Sequence, residues 1–528
     1  MPARRSANKG LRGFYIPAYC GLGLSALAFL TVAFRPPWPI DETRYLSVAW
    51  EMWREGSFWV PKLNGLPYSH KPPLLFWLIH LGWAIFGVNE WWPRLLSFFF
   101  GFVNLLLIRR LIYSVYGRED LKDLASLILF GHLIFLFFSS VVMFDMFLFL
   151  FVSMAYLSLL GLHSRKRNLV YLGLSMGLGV LTKGPVLFLH ILPISFLLPW
   201  IFALRKGELL LFYKRLILAF SLGVAISVSW ALPASILGGE AYRNELLWGQ
   251  SVGRMAKSFA HKGPWWFYLL NTPLILLPWT FALFKWARAI RDLFSERGTL
   301  LCAILFGLEV VIFSMISGKQ IFYILPVILP SSMILAHAVS KRPLSQLEMG
   351  LTWALFFILG IWMAFGPYLA ERFVGLPLSF RRIPPYWGIA LAVLSLLFFL
   401  VSPKRSIGQV FWISSASWIC FFLLLFGPVR TIKTEFDLKR ASEQISILEA
   451  KGYEIHHVNK YHGEYHFLGR LKNPFKEIDE TRVGDVLRDS KAALVWVTKD
   501  ASKVPREHIL YYQAYAGKHL YLLVRSGK

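Results

Sequence analysis

Residue types able to do chemistry gather in two short stretches, Asp41-Glu42-Thr43-Arg44-Tyr45 and Tyr68-Ser69-His70-Lys71-Pro72-Pro73. Both lie in a polar segment at 35–90, far longer than the few residues that join packed helices, and long ordered loops tend to carry function. Further charged groups stand at the edges of apolar runs. Asp145 begins one run, Lys183 ends another, Lys319 occupies a short turn, and Arg254 and Lys257 lie in a polar stretch. Charges at membrane depth or at its boundary are costly, which makes them functional candidates. Taken singly, each lysine reads as a side chain snorkelling to the interface. Together with Arg44 and Lys71 they form a cationic cluster holding one or two carboxylates, a charge pattern suited to a lipid-linked phosphate.

Asp41 has a structural reading beside the chemical one. It follows Pro39-Ile40 and precedes Tyr45, Ala49, Met52 and Trp53 at helical spacing, the position of a helix N-cap. Capping and catalysis are compatible. The same spacing predicts an amphipathic helix over 42–55 lying on the membrane surface. Glu309, inside an apolar run, reads as a buried structural carboxylate, protonated or paired.

The elements that hold these groups are set by hydropathy. The chain is 56% hydrophobic and 16% charged, with mean hydropathy +0.52, far more apolar than a soluble domain of 528 residues. About thirteen apolar runs of roughly 18 to 25 residues, from 14–34 to 408–428, are long enough to cross a bilayer as helices. The short run at 73–87 reads as interfacial or spanning. The net charge of +26 would suggest nucleic acid in a soluble protein, but basic residues such as Arg109, Arg110, Arg165, Arg167, Arg205, Lys206, Lys341, Arg342, Lys404 and Arg405 fall on alternate sides of successive runs. The positive-inside rule places those loops and the N-terminus in the cytoplasm, and the 35–90 segment and the tail outside. The first run lacks a small-residue cleavage site and reads as a retained anchor. Cys20, Cys302 and Cys420 all lie in apolar runs, which indicates neither a disulfide framework nor a cysteine metal site.

Near Val429 the hydropathy collapses, dividing a membrane domain at 1–430 from a small α/β domain at 431–528. In the latter, 437–451 has helical periodicity, 493–497 a buried-strand pattern, and 509–516 with 519–525 a hairpin turning at Gly517. His456, His457, His462 and His466 are spaced too irregularly for a metal site and read as a polar strand pair. Gly173 and Gly177 predict close helix packing. Gly179–Gly184 is no phosphate loop, because Pro185 stands where Lys is required.

The order of these motifs resembles a known group. Asp41-Glu42-x-Arg44-Tyr45, then Pro61-x-Leu63-Asn64-Gly65-Leu66-x-Tyr68-x-x-Lys71-Pro72-Pro73, then Asn89-Glu90-x-x-x-Arg94-Leu95 is similar to the first outer loop of the bacterial aminoarabinose transferases, within the GT-C glycosyltransferases that include protein O-mannosyltransferases. Met143-Phe144-Asp145, Leu181-Thr182-Lys183-Gly184-Pro185 and Ser317-x-Lys319-x-x-x-Tyr323-Ile324-Leu325-Pro326 agree with it. The resemblance implies a polytopic all-α membrane protein of GT-C type, with about thirteen transmembrane helices and a small α/β C-terminal domain. It implies residence in a bacterial inner membrane and transfer of a sugar from undecaprenyl (polyprenyl) phosphate to lipid A or a related glycolipid at the periplasmic face. Asp41 would be the catalytic carboxylate and Asp145 a second acidic group of the site. Lys71 and Tyr323, joined by Lys183, Arg254 and Lys319, would hold the carrier phosphate; Arg44, Tyr45 and Tyr68 would shape the sugar cavity. The transferases carry Glu where this chain has His70, a position that can hold a metal with a histidine of a later loop. His70 and His261 therefore offer two nitrogen ligands to a possible zinc ion, further ligands or water completing the shell.

Two other readings remain at this point: a protein O-mannosyltransferase-like or other cell-envelope glycan transferase, and a lipid-linked sugar transporter or flippase. Transporters usually show inverted repeats with paired broken helices near the midplane, and this sequence has no such symmetry.

Overall fold

Within a bilayer every backbone polar group must be satisfied inside its own segment, so the apolar runs become helices. A computed structural model describes residues 3–253, 262–374 and 378–525. In chain order the first half holds α1 (Ala3–Phe34), α2 (Asp41–Glu55), α3 (Leu74–Phe86), α4 (Trp91–Tyr116), α5 (Leu121–Gly131), α6 (Leu133–Ser140), α7 (Asp145–Leu160), α8 (Lys166–Lys183), α9 (Leu187–Ile201) and α10 (Lys206–Leu237). The second half of the bundle contains Arg297–Met315, Ile328–Lys341, Gln346–Val374, Tyr386–Leu400 and Ser406–Leu424.

The protein is a multi-pass helical membrane protein, but about thirteen full-length spans are not what its described residues contain. Seven helices are long and apolar enough to cross, or up to eight if the bent pair α5 and α6 is one span; four more apolar helices are shorter. Local backbone chemistry explains the difference. The run at 121–140 bends by 67° at His132, and the run at 265–285 is broken into Phe267–Ile275, a 3-10 turn and Leu283–Arg291. Pro273 and Pro278 lie in that broken run, where each lacks the N–H a continuous helix needs.

The centre of the bundle is α7, buried along nearly its whole length from Asp145 to Leu159. The α8–α10 contact depends on small residues, as the Gly173 and Gly177 pattern predicts. A Cβ on Gly173 would come within 2.6 Å of Leu222, and one on Gly177 within 2.6 Å of Ile226.

Between α2 and α3, β1 (Lys62–Leu63) and β2 (Leu66–Pro67) form a minimal hairpin. Its turn residues Asn64 and Gly65 have φ of 55° and 76°, the left-handed pair that an Asn-Gly hairpin turn requires.

The tail domain packs the helix Lys439–Ala450 on one side of a five-stranded sheet. The strands are β3 (Glu454–Val458), β4 (Lys476–Ile478), β5 (Ala492–Thr498), β6 (Ile509–Tyr515) and β7 (Lys518–Val524), in spatial order β4-β3-β5-β7-β6. β3 pairs in parallel with β4 and β5, while β5–β7 and β7–β6 are antiparallel. The predicted helix, buried strand and hairpin are all present. His456 and His457 lie on β3, whereas buried His466 opens a short helix, so the four histidines do not share one strand pair.

One expectation is overturned by packing. α2 does not lie on a lipid surface: Glu42, Tyr45, Ser47, Val48, Ala49, Glu51 and Met52 are all buried, and the tail domain covers it. The amphipathic spacing was real, but its polar side meets protein.

Candidate functional site

The entry to α2 is fixed by a buried ion pair. Arg35 and Glu42, each 2% exposed, meet through two nitrogen–oxygen contacts, one of them Arg35 Nη2 to Glu42 Oε1 at 2.9 Å. Glu42 also accepts from the Trp38 backbone N–H at 2.6 Å and the Val142 N–H at 2.7 Å, while Arg35 Nη2 donates to the Ser140 carbonyl at 2.8 Å. Burial alone would raise the Glu42 carboxyl, but the Arg35 and Arg94 charges and these donors hold it below the usual carboxylate range. The result ties the segment bearing Asp41 to the turn that precedes Asp145.

Asp41 is the first residue of α2, and the N-cap position belongs to Ile40 with no side-chain cap. The capping role is therefore not the one Asp41 plays. Its carboxylate is 53% exposed and 3.6 Å from Arg44 Nη1. One turn on, Tyr45 is buried and its phenol is pushed well above the ordinary value, first by burial and then by the nearby Asp41, Tyr68 and Asp145.

Tyr45 packs edge-on against Phe144 with ring centroids 4.9 Å apart. Lys71 Nζ stands 5.4 Å from the centroid of the same ring, and Phe76 packs on it at 5.7 Å. The next residue, Asp145, is 3% exposed and accepts a hydrogen bond from Lys183 Nζ at 2.5 Å. Lys183 Nζ in turn lies 5.0 Å from the Tyr323 ring centroid and 5.2 Å from that of Phe322. Phe144 and the Asp145–Lys183 pair thus join Tyr45, Lys71 and Tyr323 into one cluster drawn from α2, the 61–73 segment, α7, α8 and the 321–327 turn. Tyr68 and His70 adjoin each other, ring centroids 5.0 Å apart, on the strand-to-helix connection that carries Lys71.

Lys319 is placed differently. It is 5% exposed, and its ammonium donates to the carbonyls of Phe313 at 2.8 Å, Ser314 at 2.7 Å and Ile316. With three N–H groups and three carbonyls, it caps the end of Arg297–Met315. Burial lowers its pKa. Arg254, Lys257 and His261 lie outside the described residues. Among the described residues no group of three or more His, Cys, Asp or Glu side chains is gathered for a metal, and the His70 ring packs beside Tyr68. Glu309 is paired, as anticipated: it accepts from Tyr156 Oη at 3.1 Å and lies 2.8 Å from His190 Nδ1.

Several contributors have no chemical signal of their own in the sequence. Phe144 stands in the Met143-Phe144-Asp145 motif, but its part as a packing centre shows only once its neighbours are known. The tail domain also holds α2 from behind: Ser47 Oγ donates to the Gly463 carbonyl at 2.7 Å and accepts from Phe467 N–H at 3.1 Å, and Arg44 Nε donates to the His462 carbonyl at 3.3 Å. Trp50 Nε1 donates to the Leu471 carbonyl at 2.9 Å, and Asn64 exchanges two hydrogen bonds with the Phe475 backbone. Buried Glu51 accepts from the Asn64 and Gly65 N–H groups at 2.7 and 2.9 Å, fixing the hairpin turn on α2.

The fold as a whole is similar to a known one. The crystal structures of ArnT from Cupriavidus metallidurans match with a TM-score of 0.76 for the apo state (98% of this chain, 99% of that one) and 0.75 for the form bound to undecaprenyl phosphate (96% and 97%), each at 18% sequence identity. The fold is that of ArnT. Sequence comparison points the same way as the ArnT fold. The model of the dolichyl-phosphate-mannose-protein mannosyltransferase family matches residues 70–230. An undecaprenyl phosphate-alpha-4-amino-4-deoxy-L-arabinose arabinosyl transferase of Pseudomonas fluorescens is 30% identical over 341 residues, 62% of this chain and 60% of that protein. A transferase of the same description from Enterobacter sp. is 30% identical over 331 residues, 61% of this chain and 58% of its own length. The chain thus spans about 60% of the length of these curated relatives, and the resemblance carried by the loop motifs extends through much of the ArnT-like bundle.

Proposed function

We propose that this chain is an integral membrane glycosyltransferase of the inner membrane, moving a sugar from a polyprenyl phosphate carrier to lipid A or a related envelope acceptor at the periplasmic face. The observation that carries the reading is a chain of contacts: Lys71 and Tyr45 meet the Phe144 ring, the adjacent Asp145 pairs with Lys183, and Lys183 lies against Tyr323, with Asp41 one helical turn before Tyr45 and Arg44 next to it. The similar relatives, which are described as acting with an undecaprenyl phosphate-linked aminoarabinose, support the choice of donor.

In the proposed reaction the bond between the sugar's anomeric carbon and the carrier phosphate oxygen breaks, and a bond from that carbon to an acceptor oxygen forms. The carrier departs as a phosphate anion, so the site must neutralise charge more than supply a proton. Lys71 does so as a cation on the 61–73 segment, and Tyr323, which lies against Lys183, helps hold the phosphate. Asp41, half exposed at the helix start, positions the acceptor and takes its proton if the acceptor is a hydroxyl; toward an acceptor phosphate it orients and polarises. Asp145 accepts from Lys183 through one oxygen, which leaves the second to accept from sugar hydroxyl or amino groups. Arg44, Tyr45 and Tyr68 wall the sugar cavity. His70 and His261 would be two nitrogen ligands of a zinc ion, further ligands or water completing the shell; no step of the transfer is assigned to it.

The test is direct. Membranes containing this protein, supplied with undecaprenyl-phosphate aminoarabinose and lipid A, should yield lipid A heavier by one aminoarabinose by mass spectrometry. Transfer to a protein hydroxyl instead would favour the O-mannosyltransferase-like alternative, and movement of intact donor across vesicles without transfer would favour a flippase.

A further inference from the structure

A second feature at the tail-domain end of the bundle is not used by the candidate site. Where the tail domain joins the helices there is a cavity of about 340 Å³, far above the roughly 10–15 Å³ that one water needs. Three parts of the chain converge on it: the last turn of α1, the first turn of α4, and the segment from Lys433 to Lys439 that leads into the tail. Its lining divides by chemistry. Phe34 and Trp91 form an apolar wall beside helices whose outward side chains, Leu22, Phe29 and Phe99, are 58 to 72% exposed as lipid-facing residues are. Arg94, Lys433 and Lys439 supply cations.

The carboxylates at the cavity are already engaged. Glu90 lies 3.3 Å from Arg94 Nη2 and 3.8 Å from Lys439 Nζ, Glu42 holds Arg35, and Asp437 accepts from the Lys439 backbone N–H at 3.0 Å. The Lys433 side chain is half-buried, and its ammonium has no hydrogen-bond or ion-pair partner among the described residues. Arg430, whose guanidinium lies 5.2 Å from the Phe34 ring centroid, adds positive charge behind the apolar wall. An apolar wall under an excess of cations, at the membrane boundary, is complementary to an anionic amphiphile.

We propose that this cavity holds the phosphate headgroup of an anionic phospholipid from the leaflet on the tail-domain side, with its acyl chains along α1 and α4, and that this lipid pins the tail domain to the bundle. The phosphate bridges Lys433 and Lys439, on the segment entering the tail, while buried Arg94, donating to the Thr31 and Arg35 carbonyls, adds positive charge from the bundle. The proposal does not depend on the transfer reaction, since Lys433 and Lys439 are not among the residues assigned to it.

The test uses the full chain in nanodiscs of phosphatidylcholine with a rising fraction of phosphatidylglycerol. Native mass spectrometry counts retained lipid, and hydrogen exchange reads protection of the tail sheet. Wild type should keep one phosphatidylglycerol and show a better protected tail. The Lys433→Ala/Lys439→Ala variant should retain roughly tenfold less, as loss of charge-assisted contacts implies. Lys433→Arg/Lys439→Arg should behave as wild type, and Asp437→Asn, which removes a competing carboxylate, should retain more. Equal retention by wild type and the alanine variant overturns the proposal, as does unchanged or reduced retention by Asp437→Asn. Equal tail protection by inorganic phosphate in pure phosphatidylcholine would make the ligand free phosphate, and lysine-dependent retention of lipid A in place of phosphatidylglycerol would make it the acceptor; either result also overturns the phospholipid assignment.

Discussion

Lys183 Nζ stands 2.5 Å from Asp145 Oδ1, and the pair is buried, with side-chain exposures of 8% and 3%. Asp145 opens α7 and Lys183 closes α8, so each charge sits where the helix dipole favours it and the pair locks two helix ends together. Breaking such a pair leaves one buried charge unmatched, at a cost of about 3–5 kcal/mol. Asp145→Asn is therefore expected to lower both transfer and the melting temperature. The Asp145→Leu/Lys183→Met variant should recover most of the stability but none of the transfer. Recovery of transfer by the double variant, measured beside thermal unfolding, would show the pair to be structural only.

Asp41 has no comparable structural duty. Its side chain is half exposed and does not cap α2. Asp41→Asn should leave melting unchanged while transfer falls by about 10²–10⁴-fold, the range of a lost general base. Wild-type turnover by that variant would remove Asp41 from the chemistry.

Lys71 faces the Phe144 ring and carries the charge assigned to the carrier phosphate. Lys71→Met keeps the packing and loses the cation. Donor affinity should drop by about tenfold or more, as for a charge-assisted phosphate contact worth about 1.5–3 kcal/mol. Binding of undecaprenyl phosphate to purified variant protein measures this, and unchanged affinity would contradict the assignment.

Asn64 links the outer hairpin to the tail through two hydrogen bonds to Phe475. Asn64→Ala removes both and leaves backbone groups of Phe475 without those partners, at a cost of about 1–3 kcal/mol. Limited proteolysis should cut the tail-domain connection faster in this variant. Transfer should fall with it, because the same hairpin leads to Lys71.

The tail domain should loosen in mild acid. His466 is neutral in the folded state: Nδ1 accepts from Tyr461 Oη at 2.7 Å, Nε2 donates to the Asn473 carbonyl, and burial pushes its pKa down to about 4. An unfolded histidine titrates near 6.5, so between the two values the unfolded chain binds the extra proton. The stability contributed by neutral His466 is complete above about pH 6.5 and is lost as pH falls toward 4. His456 and His457, also lowered by burial, act in the same direction, while Glu464, raised by burial, opposes them. Hydrogen exchange of β3 and β5 at pH 7 and pH 5 should show the loss. His466→Gln should flatten the dependence by up to about 1.4 kcal/mol per pH unit, the effect of one proton.

Much of the site was legible because its residues break a strong local pattern. Asp41, Lys71, Asp145 and Lys183 stand out as charges at the edges of apolar runs, and their chain positions alone place them near helix ends. Lys319 stood out by the same criterion, yet it is turned inward onto three carbonyls. Hydropathy locates a charge relative to the membrane; it does not say whether that charge meets a ligand or a helix terminus.

Composition, hydropathy and motif order by themselves determined that this is a multi-pass membrane protein with a small mixed tail domain and an outer segment rich in chemical groups. Those properties follow from local patterns, the lengths of apolar runs and the periodicity of side chains, and need no knowledge of which helices touch. Only the tertiary structure decided that α2 is enclosed by the tail domain, that Phe144 gathers Tyr45 and Lys71, and that Asp145 is answered by Lys183. Each of these is a contact between segments 38 to 420 residues apart or between faces of different helices, set by how the bundle closes. Burial and ion pairing are properties of that closure, so they become visible only once the helices are packed.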